Sequence, residues 1–257
     1  MKLRLIAVLS CACFLFAQSP NLTGVWKANL EKSKVNGPAP SSYLEIIEQQ
    51  GSKLTETIGI TSPRGEQRSS YTADTSGKPT MNSYRGLPMR TVASSEGGAL
   101  TLTSKVAGPR PATVTEKYTL SPDGNTLTVE TVTSSNGKDT QQTMVLEKQP
   151  DSAGEALRKP EQTAGVRFKN VQLLKDLPAS HFLDSMGSFS MSLGTNCEHC
   201  HVRNDFASDD KPAKLMARKM ITMTRNINEQ TFAGKMEVRC YTCHKGQIDP
   251  QSRPAFQ

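Results

Sequence analysis

The sequence predicts an α+β multidomain protein, with an antiparallel β-barrel or sandwich in its first half and a small α-helical domain in its second. From residue 22 to 148 the chain is rich in Thr, Ser and Val, with turn-forming residues at short intervals. From 149 to 165 it carries prolines and charges, and beyond 165 apolar residues recur at helical spacing. We therefore expect a segment at 1–17 removed from the mature chain, a β domain at 18–148, a linker at 149–165 and a helical domain at 166–257.

The amino terminus has the pattern of a secretory signal peptide. Lys2 and Arg4 precede an apolar run from Leu5 to Phe16, and the small residue Ala17 follows. A run of this length is too short to cross a bilayer as a permanent helix. We expect cleavage near Ala17 and export to the periplasm. Lipid anchoring through Cys11 is the alternative, with a very short apolar run before that cysteine.

The β domain is predicted from short apolar segments between turns. The segments lie at 44–47, 100–103, 114–120, 126–132 and 143–146, and the turns at 51–52, 76–77, 97–98, 123–125 and 136–137. Such spacing favours an up-and-down barrel or a sandwich of about eight to ten strands. Gly24-Val25-Trp26 resembles the Gly-x-Trp of lipocalin-like barrels, where we expect Trp26 to plug one end. A barrel filled by side chains and one holding a small apolar ligand give the same pattern, so both stay open.

Two helices are predicted in the second half, each with one apolar stripe. The first stripe consists of Phe182, Met186, Phe189 and Leu193, between Pro178 and Gly194. The second consists of Met216, Met220, Met223 and Ile227, behind Asp209, Asp210 and Pro212. Proline suits a helix start, glycine suits a helix end, and acidic residues suit the first turn. Each predicted helix leads into a motif of two cysteines and a histidine.

These motifs are Cys197-Glu-His-Cys200-His201 and Cys240-Tyr-Thr-Cys243-His244. CxxCH is the attachment signature of a c-type haem: two thiols bond the vinyl groups of one macrocycle and the adjacent histidine reaches the iron. Two motifs predict two covalently bound c-type haems. A zinc ribbon, a redox dithiol or a pair of disulfides are the alternatives, but none explains a histidine after both pairs. Cys11 and Cys13 lie in the predicted signal, which leaves no mature thiol outside the motifs.

The histidine count restricts the distal iron ligands. The chain has four histidines. His201 and His244 are the predicted proximal ligands and His199 lies inside a motif, so only His181 is spare. At least one iron is therefore expected to take a methionine sulfur or to keep an open site. Methionine ligation raises the reduction potential relative to two histidines.

The stretch 167–247 resembles the cytochrome c subunit of photosynthetic reaction centres. The resemblance is carried by Met186 with the run Ser192 to Cys197, and by Ala217 to Met220 with Asn228 and the run Val238 to Gly246. In that family a helix methionine is the distal ligand of three haems, which implies Met186 and Met220 here. The family has four haem motifs and this chain has two, so the electron partner stays open.

The sequence predicts an exported dihaem c-type cytochrome that carries electrons and catalyses no substrate chemistry. The alternative is a dihaem enzyme of peroxidase type, or a haem sensor, with one open iron. The net charge is +7, and loss of Lys2 and Arg4 with the signal leaves 7 − 2 = +5. A mildly basic domain favours an acidic or membrane-associated redox protein as partner. No nucleic-acid-binding motif is present, and no nucleic-acid partner is expected.

Overall fold

A computed structural model describes residues 19–62, 65–108 and 111–251; the predicted signal at 1–17 lies outside them. The first half of the chain forms one sheet of ten antiparallel strands. They are β1 (Gly24–Ala28), β2 (Ser42–Gln50), β3 (Lys53–Ser62), β4 (Gly65–Asp74), β5 (Thr80–Tyr84), β6 (Leu87–Glu96), β7 (Ala99–Val106), β8 (Ala112–Leu120), β9 (Thr126–Ser135) and β10 (Lys138–Gln149). The five predicted strand segments fall within β2 and β7 to β10. The other five strands lack clear apolar runs and were missed.

Strand pairing curls the sheet into a barrel, which confirms the barrel alternative over the sandwich. Successive strands pair from β1 to β4 and from β5 to β10, and β1 also pairs with β10, so β4 and β5 form the two edges. The side chain of Asn82 on β5 bridges those edges. Its Oδ1 accepts a hydrogen bond from the Thr72 amide at 2.8 Å, and its Nδ2 donates to the Thr72 carbonyl at 2.9 Å. One amide side chain thus takes the place of a missing strand pair.

One end of the barrel is filled by its own side chains. Trp26 is 1% exposed, and its indole N–H donates to the carbonyl of Leu22 at 2.9 Å. The surrounding core includes Ile47, Leu54, Leu100, Tyr118, Leu127 and Leu146. This confirms Trp26 as a plug, since a buried indole needs both an apolar surround and a partner for its N–H.

The segment predicted as a linker is packed against the barrel. It contains a 3-10 turn (Asp151–Gly154), α1 (Glu155–Arg158) and α2 (Ala164–Arg167). Gly154 is buried beside Val25 and Ile46, and the Arg68 guanidinium donates to carbonyls of Ala156 and Lys159 at 2.9 and 2.7 Å. The polar composition of this segment hides these contacts, because several of them are made by backbone carbonyls and by a glycine. The domain boundaries themselves stay a prediction.

Four helices follow: α3 (Ala179–Leu193), α4 (Cys197–Cys200), α5 (Pro212–Phe232) and α6 (Cys240–His244). The predicted start and end of α3 and the predicted start of α5 are confirmed. Pro178 precedes α3, and Gly194 ends it at a φ of 64°, which glycine adopts without steric cost. Pro212 opens α5. Among the residues described, no helix has the length and apolarity needed to span a membrane.

Helix α3 docks on the barrel at the turn between β5 and β6. Gly86 in this turn has a φ of 77°, and a Cβ built there would lie 2.8 Å from both the Asp184 carbonyl oxygen and the Ser188 Cβ. The helix backbone therefore approaches too closely for a side chain at position 86. The barrel and the helix that carries Met186 are in direct contact.

Candidate haem-attachment sites

The first CxxCH motif forms a single helical turn, α4. The side chain of Asn196 caps it, accepting a hydrogen bond from the Glu198 amide at 3.1 Å. One turn places Cys197 and Cys200 on the same side of the helix, since they are three residues apart. Cys197 is exposed, Cys200 is half-buried, and neither forms a disulfide.

The second motif forms the equivalent turn, α6. The Arg239 amide donates to the Thr242 hydroxyl at 3.0 Å, which closes the start of the turn. Cys240 is half-buried and Cys243 is exposed, again as free thiols. The two motifs thus present the same arrangement: two thiols on one face of a turn, with histidine directly after.

The motif thiols are partly withdrawn from solvent. Burial raises the pKa of Cys200, and the neighbouring Cys197 adds to the rise; burial likewise raises the pKa of Cys240. Over 19–62, 65–108 and 111–251, no three side chains of His, Cys, Asp or Glu converge as a metal-ion site. The four thiols belong to two separate pairs.

Both motif histidines are oriented by a backbone carbonyl. The Nδ1 of His201 lies 3.0 Å from the Phe206 oxygen, and the Nδ1 of His244 lies 3.0 Å from the Gln247 oxygen. A carbonyl only accepts, so each Nδ1 carries the proton and each Nε2 keeps its lone pair. Burial also lowers the pKa of His201, which favours its neutral form. The carbonyls of Phe206 and Gln247 are functional groups that sequence reasoning missed, because backbone atoms carry no residue signature.

The helical half has little apolar core of its own. The buried residues of α3 and α5 are small or polar: Ala179, Ser192, Lys214 and Asn228. Large apolar side chains of this half are instead exposed, among them Leu183, Phe206, Leu215, Met216, Met223, Met236, Tyr241 and Ile248. Haem is a large apolar group, and where bound it would supply the apolar interior that the protein atoms do not.

Each long helix supports the motif of the other unit. Helix α3 packs on α6, where the Gly246 amide donates to the Ser192 carbonyl at 2.9 Å and Gly194 lies against the Gly246 carbonyl with no room for a Cβ. On α5, the buried ammonium of Lys214 donates to the carbonyls of Phe206, Ala207 and Ser208 at 3.0, 3.0 and 2.6 Å. The loop that orients His201 is thus held by α5.

Two polar side chains fix the segments between motifs. The buried amide of Asn228 donates to the Val238 carbonyl at 2.8 Å and accepts from the Val238 amide at 2.9 Å. Asp209 receives two hydrogen bonds of 2.9 Å from the Arg218 guanidinium, which holds the pKa of that carboxyl well below its usual range. Asn228 and Arg218 are two of the residues that carry the family resemblance, and these contacts give each of them a structural role.

The methionines of the second stripe differ in exposure. Met220 is half-buried, whereas Met216 is 51% and Met223 45% exposed. Met186 is also half-buried, and the spare His181 is exposed in the first turn of α3. Lys214 of α5 holds the loop that follows His201, and the Gly246 amide joins the segment after His244 to α3. The iron ligands themselves stay a prediction.

Paired thiols with an oriented histidine directly after them are the arrangement that a c-type cytochrome uses. The sequence profile of the photosynthetic reaction centre cytochrome c subunit family matches residues 110–253, more than half of the chain. The chain belongs to this family. The match begins at β8, well before the expected residue 167, because our resemblance depended on haem-binding motifs that the β domain lacks.

Two relatives and one solved structure illustrate the extent of the similarity. The chain is 38% identical over 88 residues to the photosynthetic reaction center cytochrome c subunit of Thermochromatium tepidum, covering 33% of this chain and 22% of that protein. It is 35% identical over 81 residues to cytochrome c-554 of Chloroflexus aurantiacus, covering 29% and 20%. It therefore spans about a fifth of the length of these relatives. Zebrafish ileal bile acid-binding protein with cholic acid aligns with 50% of this chain and 98% of its own, at 18% identity and a TM-score of 0.35.

Proposed function

We propose that this protein is an exported electron carrier with two covalently attached c-type haems. Cys197 and Cys200 attach the first haem and Cys240 and Cys243 the second. His201 and His244 are the proximal iron ligands, with Met186 and Met220 as distal ligands. Family membership supports the haem chemistry, and the apparent signal peptide supports a periplasmic location, where the redox partner is a membrane-associated or acidic protein.

The observation that carries the proposal is the pair of equal Nδ1 to carbonyl distances, 3.0 Å at both His201 and His244. A second hydrogen bond that fixes the ring and the tautomer is typical of a metal-ligating histidine. Here it directs each Nε2 away from the backbone. A histidine that only filled space would have no reason to repeat this geometry in both motifs.

The haem irons would supply the redox chemistry by alternating between the ferric and ferrous states. The chain's own residues would hold the haems and orient their histidine ligands. The cysteines would hold the haems covalently, so that they could not dissociate. The carbonyls of Phe206 and Gln247 orient the histidine rings that would bind the irons. Because α3 packs on α6 and α5 holds the loop after α4, contacts between the two units join both motifs into one helical assembly.

A methionine ligand from each long helix, Met186 of α3 and Met220 of α5, is consistent with an electron carrier. A thioether is a weak donor that favours the ferrous state, so each iron would have a raised potential and no vacant position. Met220 is our first assignment, because it lies on the apolar stripe of α5 and ends the run Ala217 to Met220, which resembles a ligand segment of the family. Met223, one turn along the same stripe, is the main competitor.

Carbon monoxide distinguishes a carrier from an enzyme or sensor. We expect the oxidised protein to take up two electrons per chain in a reductive titration, and the reduced protein to bind no carbon monoxide within minutes at neutral pH. The reason is that both distal positions are filled by methionine. The measurement is the Soret spectrum before and after addition of the gas. Rapid binding at either iron would contradict two fixed distal ligands and would favour the peroxidase-like or sensor alternative.

A further inference from the structure

The barrel interior contains three glutamates. Glu45 and Glu56 are 1% and 3% exposed and lie diagonally on the inner face of β2 and β3, where Glu45 pairs with Ile58 and Glu56 with Ile47. Glu116 faces the same interior from β8, on the same side of its strand as the core residue Tyr118. It is close enough to act electrostatically on both other carboxyls.

One oxygen of Glu45 and one of Glu56 have no hydrogen-bond partner. Tyr43 donates to Oε2 of Glu45 at 2.8 Å, and the Tyr118 hydroxyl also hydrogen-bonds Glu56. Oε1 of Glu45 and Oε1 of Glu56 are nevertheless both buried without a partner. Within the described ranges Lys214 is the one buried basic side chain, and it lies on α5, outside the barrel. A buried polar atom without a partner has lost its hydrogen bonds to water with nothing in return, so its retention calls for an explanation.

The glutamates stand where the filled end of the barrel gives way to a more open end. On one side lie the fully buried Ile47, Leu54 and Leu127. On the other side, toward the β3–β4 and β7–β8 turns, the inward-facing residues are only half-buried: Tyr43, Ile58, Ile60, Val114 and Glu116. Their accessible surface faces inward, because they lie on the same strand faces as the core. We call this half-buried part of the barrel interior the cup: apolar side chains line its strands, and the three glutamates lie where it meets the filled end.

We propose that this cup binds a small apolar molecule that carries a protonated amine, with its ammonium group on the carboxylates of Glu45, Glu56 and Glu116. An ammonium donates three hydrogen bonds and supplies the missing positive charge, which satisfies the two orphan carboxylate oxygens. The apolar body lies against Ile58, Ile60 and Val114. An anionic molecule such as a fatty acid would meet like charge at the glutamates and is excluded.

The ionisation of the three glutamates follows from burial. Burial raises the pKa of Glu45 and that of Glu116 to about 7 each. Burial also raises the pKa of Glu56, and repulsion from the charges of Glu45 and Glu116 raises it further. Tyr43, Tyr71 and Tyr118 face the same group and stay neutral, since burial raises their pKa values too. An amine stays protonated until about pH 10, so binding is expected to strengthen as pH rises from 6 to 8.

Calorimetric titration of the full-length haem-loaded protein at pH 8 tests this, using octylamine, octanol and octanoate, which share one chain length. We expect one octylamine per protein, bound at least tenfold more tightly than octanol, and no binding of octanoate. At pH 7, titration in two buffers of different ionisation enthalpy should show net proton release. Equal binding of amine and alcohol, or tighter binding of octanoate, would overturn the proposal.

Three substitutions locate the binding. Glu45→Gln and Glu56→Gln each keep shape but remove charge, and each should weaken octylamine at least fivefold while leaving octanol unchanged. Glu48→Gln is the matched control, because Glu48 lies on the same strand as Glu45 and is exposed. If Glu48→Gln weakens octylamine as much as Glu45→Gln does, the amine binds the outer surface and the proposal is wrong.

Discussion

Replacing Met220 with alanine is expected to open one of the two irons to carbon monoxide and to lower one reduction potential by more than about 60 mV, a tenfold shift in a one-electron equilibrium. The physical reason is the loss of a thioether that favours the ferrous state and fills the distal position. A spectroelectrochemical titration with and without carbon monoxide measures both effects. Met220→His should restore six-coordination and exclude the gas, but with a potential below that of the wild type.

Met223→Ala is the matched control, one turn along the same helix face. Met223 is 45% exposed, so its loss should cost no more than about 0.5 kcal/mol and leave both potentials unchanged. If Met223→Ala opens an iron and Met220→Ala does not, Met223 is the ligand and our assignment of Met220 is wrong. If neither does, Met216 takes its place.

The barrel is expected to lose stability as pH rises from about 4.5 to above 7. A carboxyl whose pKa is about 7 in the folded state and 4.5 in the unfolded state keeps its proton longer when folded. The unfolded state therefore binds fewer protons across this window, and unfolding becomes easier as pH rises. The loss is on the order of 3 kcal/mol for Glu45, at 1.36 kcal/mol per pKa unit. Below pH 4.5 both states are protonated and this loss disappears.

Glu45→Gln isolates the effect, because glutamine does not titrate. The variant should match the wild type near pH 4.5 and exceed it by a few kcal/mol at pH 8. Denaturant unfolding followed by far-ultraviolet circular dichroism reports the β sheet, while the Soret band reports the haem domain separately. Glu48→Gln, on the exposed face, should follow the wild type at both pH values. If the difference in unfolding free energy between Glu45→Gln and the wild type does not grow with pH, the claim that Glu45 ionises while buried is wrong.

The sequence was most informative where chemistry demands particular residues. The CxxCH motif identifies the thiols and the histidine directly, because haem attachment requires these residues at this spacing. Pro178, Gly194 and Pro212 mark helix ends because few other residues share their backbone geometry. Strands β2 and β7 to β10 were predicted because their apolar residues alternate between well-formed turns. These features are local, so a single sequence is enough to find them.

The features that were missed depend on contacts between distant segments. Strands β3 to β6 carry many polar residues, and Asn82 closes the barrel through the Thr72 backbone. The polar segment at 150–165 packs because Arg68 meets its carbonyls. Glu45 and Glu56 look like ordinary surface residues of two strands, and only the register shows that they face inward together. Sequence patterning cannot reveal a polar residue in a core, since it assumes that cores are apolar.

The central claim is that the mature chain carries two covalently attached haems through its four thiols. Intact mass spectrometry of the protein expressed with its haem-attachment machinery tests it most directly, with alkylation to count free thiols. We expect the mass of the chain plus two haems and no alkylation. Replacing Cys197 and Cys200 with serine should remove one haem and leave the second on Cys240 and Cys243. A colourless protein with four alkylated thiols, or a wild-type chain with a single haem, would contradict the account.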